Sequence, residues 1–296
     1  MSKSFIIIFG FILKLWPGFI LQLFCRVAGV FTILLIKSRR EIVFNNFNKA
    51  FNNSCHKKLL IFSIKTTQRT IEQGLLALAW PFLKTKLLKL NFQISSKSLD
   101  LLRFHSEEKH GVLWLIPHFC HADAISFLPE LIGPGHGVHA LYRPLKNFAL
   151  NEHVKNSRER FGIKTIDRKD GGMLKTLKVL KRGNTLAMLF DQNAGGAGTR
   201  LEFMGRECSC TTLPDILFDK YKPKVLFVYT RRTGFWKSSF EVEEVGELEA
   251  GKLVIEQANC WLEEKLKNDQ LLRESWLWLH QRWKPGVGQT KKGRIR

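Results

Sequence analysis

Acidic side chains are scarce in this sequence. Only 26 Asp and Glu face 47 Lys and Arg over 296 residues, a formal net charge of +21. A surplus of that size implies an anionic partner: phospholipid headgroups, nucleic acid or an acidic protein. Cysteines are few as well, at 25, 55, 120, 208, 210 and 260, with no Cys-x-x-Cys pair. That excludes a dense disulfide framework and reads as reduced thiols in a reducing compartment. Cys208-x-Cys210 has no second pair to complete a metal site, so it reads as a turn with two free thiols. The glycine-rich run Gly195-Gly196-x-Gly198 lacks the strand-GxGxxG-helix setting that a dinucleotide fold needs. No internal repeat is present.

What is abundant is apolar. Hydrophobic residues make up 45% of the chain, enough to fill a core. They concentrate first at residues 5–36, broken mainly by Lys14, Gln22 and Arg26. This run is too long for a signal-peptide core, and no small-x-small cleavage site precedes the basic block. Any window of roughly 20 residues, the length that crosses a bilayer, holds Lys14 or Arg26, and Pro17-Gly18 interrupts it. Residues 1–36 are therefore expected to anchor the chain in a membrane, spanning it or lying in its interface. Residues 37–97 hold 12 basic side chains and two acidic ones, Glu41 and Glu72. That asymmetry predicts a main domain on the cytoplasmic side, against anionic lipid.

Beyond the anchor, apolar positions at helical spacing (Leu60 and Ile64, then Ile71, Leu75 and Leu78) predict helices through residues 41–90. From about residue 111, strands alternate with helices. Strands are expected at 112–116, 138–142, 163–166, 185–190, 224–230 and 240–245. Helices are expected at 147–161, from Gly171-Gly172 to Gly183, at 255–266 and at 274–283. This alternation predicts an α/β fold: a mixed, largely parallel sheet flanked by helices, preceded by a hydrophobic membrane-anchoring helical segment. The expected organisation is an anchor at 1–36, a basic helical membrane-proximal region at 37–100, an α/β domain at 101–288 and a basic tail at 289–296. Ligands of such sheets gather at the carboxyl ends of strands, where His118, Arg143 and Asp191 all fall.

The chemistry concentrates in "GVLWLIPHFCHADAISFLPEL" (111–131). A strand-like run ends at Pro117 and delivers His118, Cys120, His121 and Asp123. With His118 in the turn and Asp123 in the first helical turn, the two side chains can meet. The carboxylate would then fix the imidazole tautomer and make its other nitrogen a better base. A metal-dependent hydrolase could instead use His118, His121 and Asp123 as ligands, drawing on His136, His139, His153 or His280 for more. A third reading is a basic membrane- or nucleic-acid-binding protein without catalysis. In it, Trp261, Trp276, Trp278 and Trp283 would form an interfacial belt or a stacking surface. The aromatics follow no known nucleic-acid motif, and the apolar N-terminus favours lipid.

His118-x4-Asp123 resembles the HX4D box of the glycerolipid acyltransferase superfamily. Around it, in order, stand "RREIVFNNFNKAF" (39–51), "LYRPLKN" (141–147), "IDRKDGGMLKTLKVLKRGNTLAMLFDQNAGGAG" (166–198), "FMGRECSCTTLP" (203–214) and "SWLWLHQRWK" (275–284). This ordered set resembles the bacterial lipid A biosynthesis late acyltransferases, the lauroyl/myristoyl transferases, over most of the chain. The resemblance implies a membrane-bound enzyme of the bacterial inner membrane, with its catalytic domain on the cytoplasmic side. It would move a fatty acyl chain from acyl carrier protein to a hydroxyl of a phosphorylated glucosamine lipid. His118 would be the general base and Asp123 its orienting acid, with no metal, no cofactor and no acyl-enzyme. Arg143 and Arg168 would contact substrate phosphate or the acyl donor, since guanidinium forks suit phosphate. Asp191 and Gln192 match the family's DQ box, and Arg200 is a further substrate-binding candidate. The implied partners are acyl carrier protein, an anionic glycolipid and the membrane, and no nucleic acid. The same pair would serve an acyltransferase acting on another membrane lipid, such as a phosphatidylinositol mannoside or an amino-acid lipid.

Overall fold

The computed structural model describes residues 2–51, 55–107, 110–133, 137–169, 171–246 and 252–284; His136 and the tail at 289–296 lie outside them. Two apolar helices open the chain, α1 (Lys3–Leu15) and α2 (Gly18–Leu35), followed by the basic α3 (Lys37–Ala50) and the long α4 (His56–Ala79). Then come α5 (Thr85–Asn91), β1 (Phe92–Ile94), α6 (Ser96–Glu107), β2 (Val112–Ile116), a 3-10 turn (Ala122–Phe127) and α7 (Leu128–Ile132). The chain continues through β3 (Val138–Tyr142), α8 (Phe148–Glu159), β4 (Lys164–Asp167), α9 (Gly172–Lys181) and β5 (Thr185–Leu189). A hairpin of β6 (Thr199–Phe203) and β7 (Arg206–Cys210) leads to α10 (Leu213–Tyr221), β8 (Lys224–Gly234), β9 (Lys237–Glu244), α11 (Val254–Asn268) and α12 (Gln270–Ser275).

Seven strands form one sheet in the order β1-β9-β8-β2-β5-β3-β4. Every neighbouring pair is parallel except β8 and β9. The expected mixed, largely parallel sheet is present. All five residues of β2 are buried, as an uninterrupted apolar run between two covered faces should be. The period of two divides them: Leu113 and Leu115 enter one core with Leu186, Met188 and Phe227, while Val112, Trp114 and Ile116 enter the other with Ala187, Leu226 and Val228. Helix α4 serves both cores, with Leu59 in the first and Leu75, Leu76 and Ala79 in the second. Helix α4 is thus built into the sheet's own packing.

Helices α1 and α2 lie along α4. On α2 the stripe Leu21, Cys25, Gly29 and Ile33, four residues apart, is buried. Gly29 permits the approach, since a Cβ there would stand 2.5 Å from the Gln68 side chain. The outward faces stay apolar and exposed, with Phe5, Ile8, Phe11, Leu15, Phe19 and Phe31 among them.

Two expectations differ from the structure. The segment 274–283 is not a helix: α12 ends at Ser275 and the chain turns inward. Trp276, Trp278 and Trp283 are buried in the first core and Trp261 packs against it, so these rings are core and not an interfacial belt. The β6–β7 hairpin also escaped the sequence reading, because its strands carry Arg, Glu and Thr in place of a β-branched apolar run.

Candidate active site

Strands β2 and β5 pair in register, Ile116 beside Leu189, so the residues just beyond them emerge side by side. That places His118 against Asp191. The His118 backbone N–H donates to Asp191 Oδ2 at 2.8 Å, and its Nδ1 lies 2.5 Å from Oδ1. The Trp276 indole N–H donates to the same Oδ2 at 2.6 Å. Asp191 is almost fully buried. Burial alone would raise its pKa, but the imidazole and these hydrogen bonds outweigh it and hold the carboxyl below its usual range. A carboxylate on Nδ1 keeps the proton there and leaves Nε2 as the acceptor. The Gln192 amide fills that position, its Nε2 2.9 Å from His118 Nε2.

The expected partner, Asp123, is engaged elsewhere. Arg158 of α8 donates to its Oδ1 through Nε at 2.9 Å and Nη2 at 2.6 Å, and Gln73 of α4 donates to its Oδ2 at 2.8 Å. Burial would raise the Asp123 pKa, and the Arg158 charge overrides it and lowers it. The cause is local: His121 adopts a left-handed conformation, φ 68°, and starts the 3-10 turn that presents Asp123 towards α4 and α8. Asp123 and His118 still line one cavity.

His121 itself faces away, fully buried. Its Nε2 is 3.1 Å from Glu72 Oε1 and its Nδ1 is 2.8 Å from Ser238 Oγ. Glu72 also accepts from Arg232 Nε and the Trp236 backbone N–H. Burial pushes the Glu72 pKa up, but the His121 hydrogen bond and charge and the Arg232 guanidinium bring it down to about 2. Glu72, Cys120 and His121 come close enough to hold a metal ion. Arg232 and Arg69 already sit on that carboxylate, so the donor set fits a buried ion-pair network better than a cation. The ligand trio weighed from sequence is divided three ways: His118 to Asp191, His121 to Glu72, Asp123 to Arg158.

One cavity is lined by His118 itself, and a second lies by the Asn193–Gly195 loop and His280. The first, ≈ 190 Å³, is mostly apolar and is lined by Ile116, Phe119, Ile125, Ile163, Met188 and Leu277 together with His118, Asp123 and Arg158. The second, ≈ 820 Å³, is basic, lined by Arg39, Arg143, Arg168, Lys169, Lys284 and His280. Its lining holds no carboxylate among the described residues. Arg143 follows β3 and Arg168 follows β4, so the parallel β3–β4 pairing brings them to one end of the sheet. Arg200 lines neither cavity; it lies on β6 with its Nη1 3.9 Å from Glu207.

Several contributors were not singled out from sequence. His280 was weighed only as a metal ligand; here its Nε2 accepts the Asn193 backbone N–H at 2.9 Å, and burial lowers its pKa to about 4. Asn193 in turn donates to the carbonyls of Arg282 and Lys284. Arg282 is fully buried, and its Nη1 donates to the Gln192 and Ser209 carbonyls at 2.9 Å each. Its Nη2 points at Cys210 Sγ, 3.0 Å away, and Asn259 Nδ2 approaches the same sulfur at 3.1 Å. The Cys208-x-Cys210 pair thus sits on a buried strand, its sulfurs 3.5 Å apart. Hydrogen bonding from Cys208, with the Arg282 charge, pulls the Cys210 pKa down to about 6 despite burial. Charge and distance along the chain hid this assembly: residues 276–284 fold back on the Gln192 loop only in three dimensions.

Among curated proteins, none matches this chain. A family model described as "Bacterial lipid A biosynthesis acyltransferase" matches residues 1–285.

Proposed function

The chain belongs to the bacterial lipid A biosynthesis acyltransferase family, and from that premise we propose that it moves a fatty acyl chain from an acyl carrier protein thioester to a hydroxyl of a phosphorylated lipid A precursor. The observation that carries this reading is a His118–Asp191 pair on an apolar cavity, with a basic cavity, free of carboxylates among the described residues, beginning two residues away at Asn193. The acyl chain lies in the first. The acceptor's phosphates lie in the second, on Arg143 and Arg168, with Arg39 beside them.

The acceptor hydroxyl takes the place of the Gln192 amide at His118 Nε2, which removes its proton as the oxygen attacks the thioester carbonyl. A tetrahedral oxyanion forms, and the displaced Gln192 amide and the Arg158 guanidinium supply donors for it. Collapse breaks the C–S bond, and the thiolate leaves with the proton from His118. Asp191 steadies the imidazolium between the two transfers, and Trp276 and the His118 backbone N–H keep Asp191 in place. Asp123 acts at one remove, holding Arg158 in the cavity wall.

The outward apolar face of α1 and α2 is the membrane contact. Because α2 packs lengthwise on α4, the two helices fit a position in the interface, with the site beside them open to the cytoplasmic leaflet. The surplus of positive charge suits both an anionic leaflet and an acidic carrier protein.

The test is a donor ladder. Purified protein in detergent receives carrier proteins loaded with chains of increasing length and a tetra-acylated precursor, and product mass is followed. One acyl increment, absent from His118→Ala, is expected. No increment with any donor from folded protein sinks the reading.

A further inference from the structure

The apolar cavity at His118 carries two polar atoms that its packing does not explain. Ser126 Oγ and Gln73 Oε1 are buried, line this cavity, and have no hydrogen-bond partner among the described residues. Ser126 is only 4% exposed. Buried polar groups are paired as a rule, so each orphan calls for a reason. Two hydroxyls of α4 fold back on their own backbone, Ser63 donating to the Leu59 carbonyl and Thr70, which lines the same cavity, to that of Thr66, while Thr67, which does not line it, is also unpaired among the described residues. Ser126 makes no such bond. Nor can Gln73 resolve its orphan by turning over, because its amide N–H donates to Asp123 Oδ2 and a flip would set oxygen against carboxylate.

Their positions along the cavity are ordered. Asp123 and Ser126 are three residues apart in the 3-10 turn Ala122–Phe127, where such residues eclipse on one edge. At about 2 Å of rise per residue, Ser126 stands one turn, about 6 Å, beyond Asp123. Gln73 is tied to Asp123 itself. Both orphans therefore lie close to the reacting end of the cavity, and together they offer one donor, the Ser126 O–H, and one acceptor, the Gln73 carbonyl. A hydroxyl needs both.

We propose that the acyl chain received by this cavity carries a hydroxyl within its first few carbons, so that the donor is a hydroxyacyl thioester. The inference rests on the acyl-transfer reading above and adds the chemical class of the chain. A plain saturated chain would seal Ser126 Oγ and Gln73 Oε1 against hydrocarbon with nothing to bond. Sites built to hydrogen-bond a substrate hydroxyl reject the analogue that lacks it for this reason.

The experiment pairs 3-hydroxyacyl and plain acyl carrier proteins of equal chain length, with wild type and Ser126→Ala and the phosphorylated acceptor. Wild type is expected to favour the hydroxylated donor about tenfold in kcat/KM, and the ratio to collapse towards one in Ser126→Ala. Equal use of the two donors by wild type, or a preference for the plain one, overturns the proposal and leaves Ser126 holding water only. A second arm does not need turnover: the free 3-hydroxy and plain acids displace a fluorescent fatty acid from both proteins. A hydroxyl preference in wild type that vanishes in Ser126→Ala supports the proposal even if no acceptor is acylated, in which case the transfer reading alone fails. Parity in displacement overturns it while leaving transfer of plain chains intact. Melting curves confirm that Ser126→Ala is folded.

Discussion

Replacing Asp191 with asparagine tests whether the carboxylate bonded to His118, and not the nearby Asp123, orients it. In Asp191→Asn the side-chain amide oxygen can keep the bonds from Trp276 and the His118 backbone N–H, which in the native protein both fall on Oδ2 at 2.6 and 2.8 Å. The amide NH₂ then occupies the Oδ1 position, 2.5 Å from His118 Nδ1. A donor there forces Nδ1 to accept, so the proton moves to Nε2 and the base is lost at the nitrogen that faces substrate. General-base assistance is worth about 10²–10⁴-fold. At 1.36 kcal/mol per decade, the loss corresponds to about 3–5 kcal/mol of transition-state stabilisation. The assay is kcat with saturating acyl donor, beside melting curves to show that the fold persists. Asp123→Asn should act differently, by loosening Arg158 and leaving the His118 tautomer unchanged. Its pH–rate profile should therefore keep the wild-type ascending limb, whereas that of Asp191→Asn should lose it. If Asp191→Asn works within twofold of wild type while Asp123→Asn abolishes transfer, the pairing argued from this geometry is refuted.

Arg143→Ala and Arg168→Ala should each raise KM for the phosphorylated acceptor by about tenfold or more, with a weaker effect at high salt, because no carboxylate among the described residues lines the basic cavity to compete; unchanged KM at low salt would remove the headgroup from this cavity. Glu72→Gln leaves Arg232 and His121 without their buried counter-charge, and chemical denaturation should show a loss of roughly 3–5 kcal/mol. In wild type the depressed Glu72 pKa, about 2, makes its contribution complete above the ordinary value of 4.5 and lost as pH falls from there towards 2, so Glu72→Gln should flatten that part of the acid-unfolding curve. Cys210, drawn down to about 6 from 9, should be a thiolate at pH 8. Its contribution is complete above pH 9 and lost as pH falls through 6, so the stability gap between wild type and Cys210→Ser should widen from pH 6 to 9. A pH-independent gap, with no thiolate absorbance lost in the variant, would overturn that assignment.

Much of this architecture was legible in the linear sequence. The run Val112–Ile116 could only be a strand covered on both faces, and the structure buries all of it. Gly183 closes α9 with a positive φ of 72°, as its place after an amphipathic run required. Arg143 and Arg168 follow strands that proved to be neighbours, so their meeting in one cavity needed only the parallel order. Other contacts could not be read. Asp123 lies five residues from His118 and Asp191 lies 73 away, and local spacing favours the near one. The β2–β5 register, 73 residues apart in sequence, decides otherwise. Trp276 and Arg282 fall within the helix expected at 274–283, but the chain turns inward after Ser275 and buries both against the Gln192 loop. Residue types and their periods determined which elements form and which faces they hide, since burial and backbone propensity act over a few residues. Which carboxylate meets the imidazole, and which hydroxyl is left facing the cavity, depended on how sheet order and one left-handed turn at His121 aimed side chains drawn from distant parts of the chain.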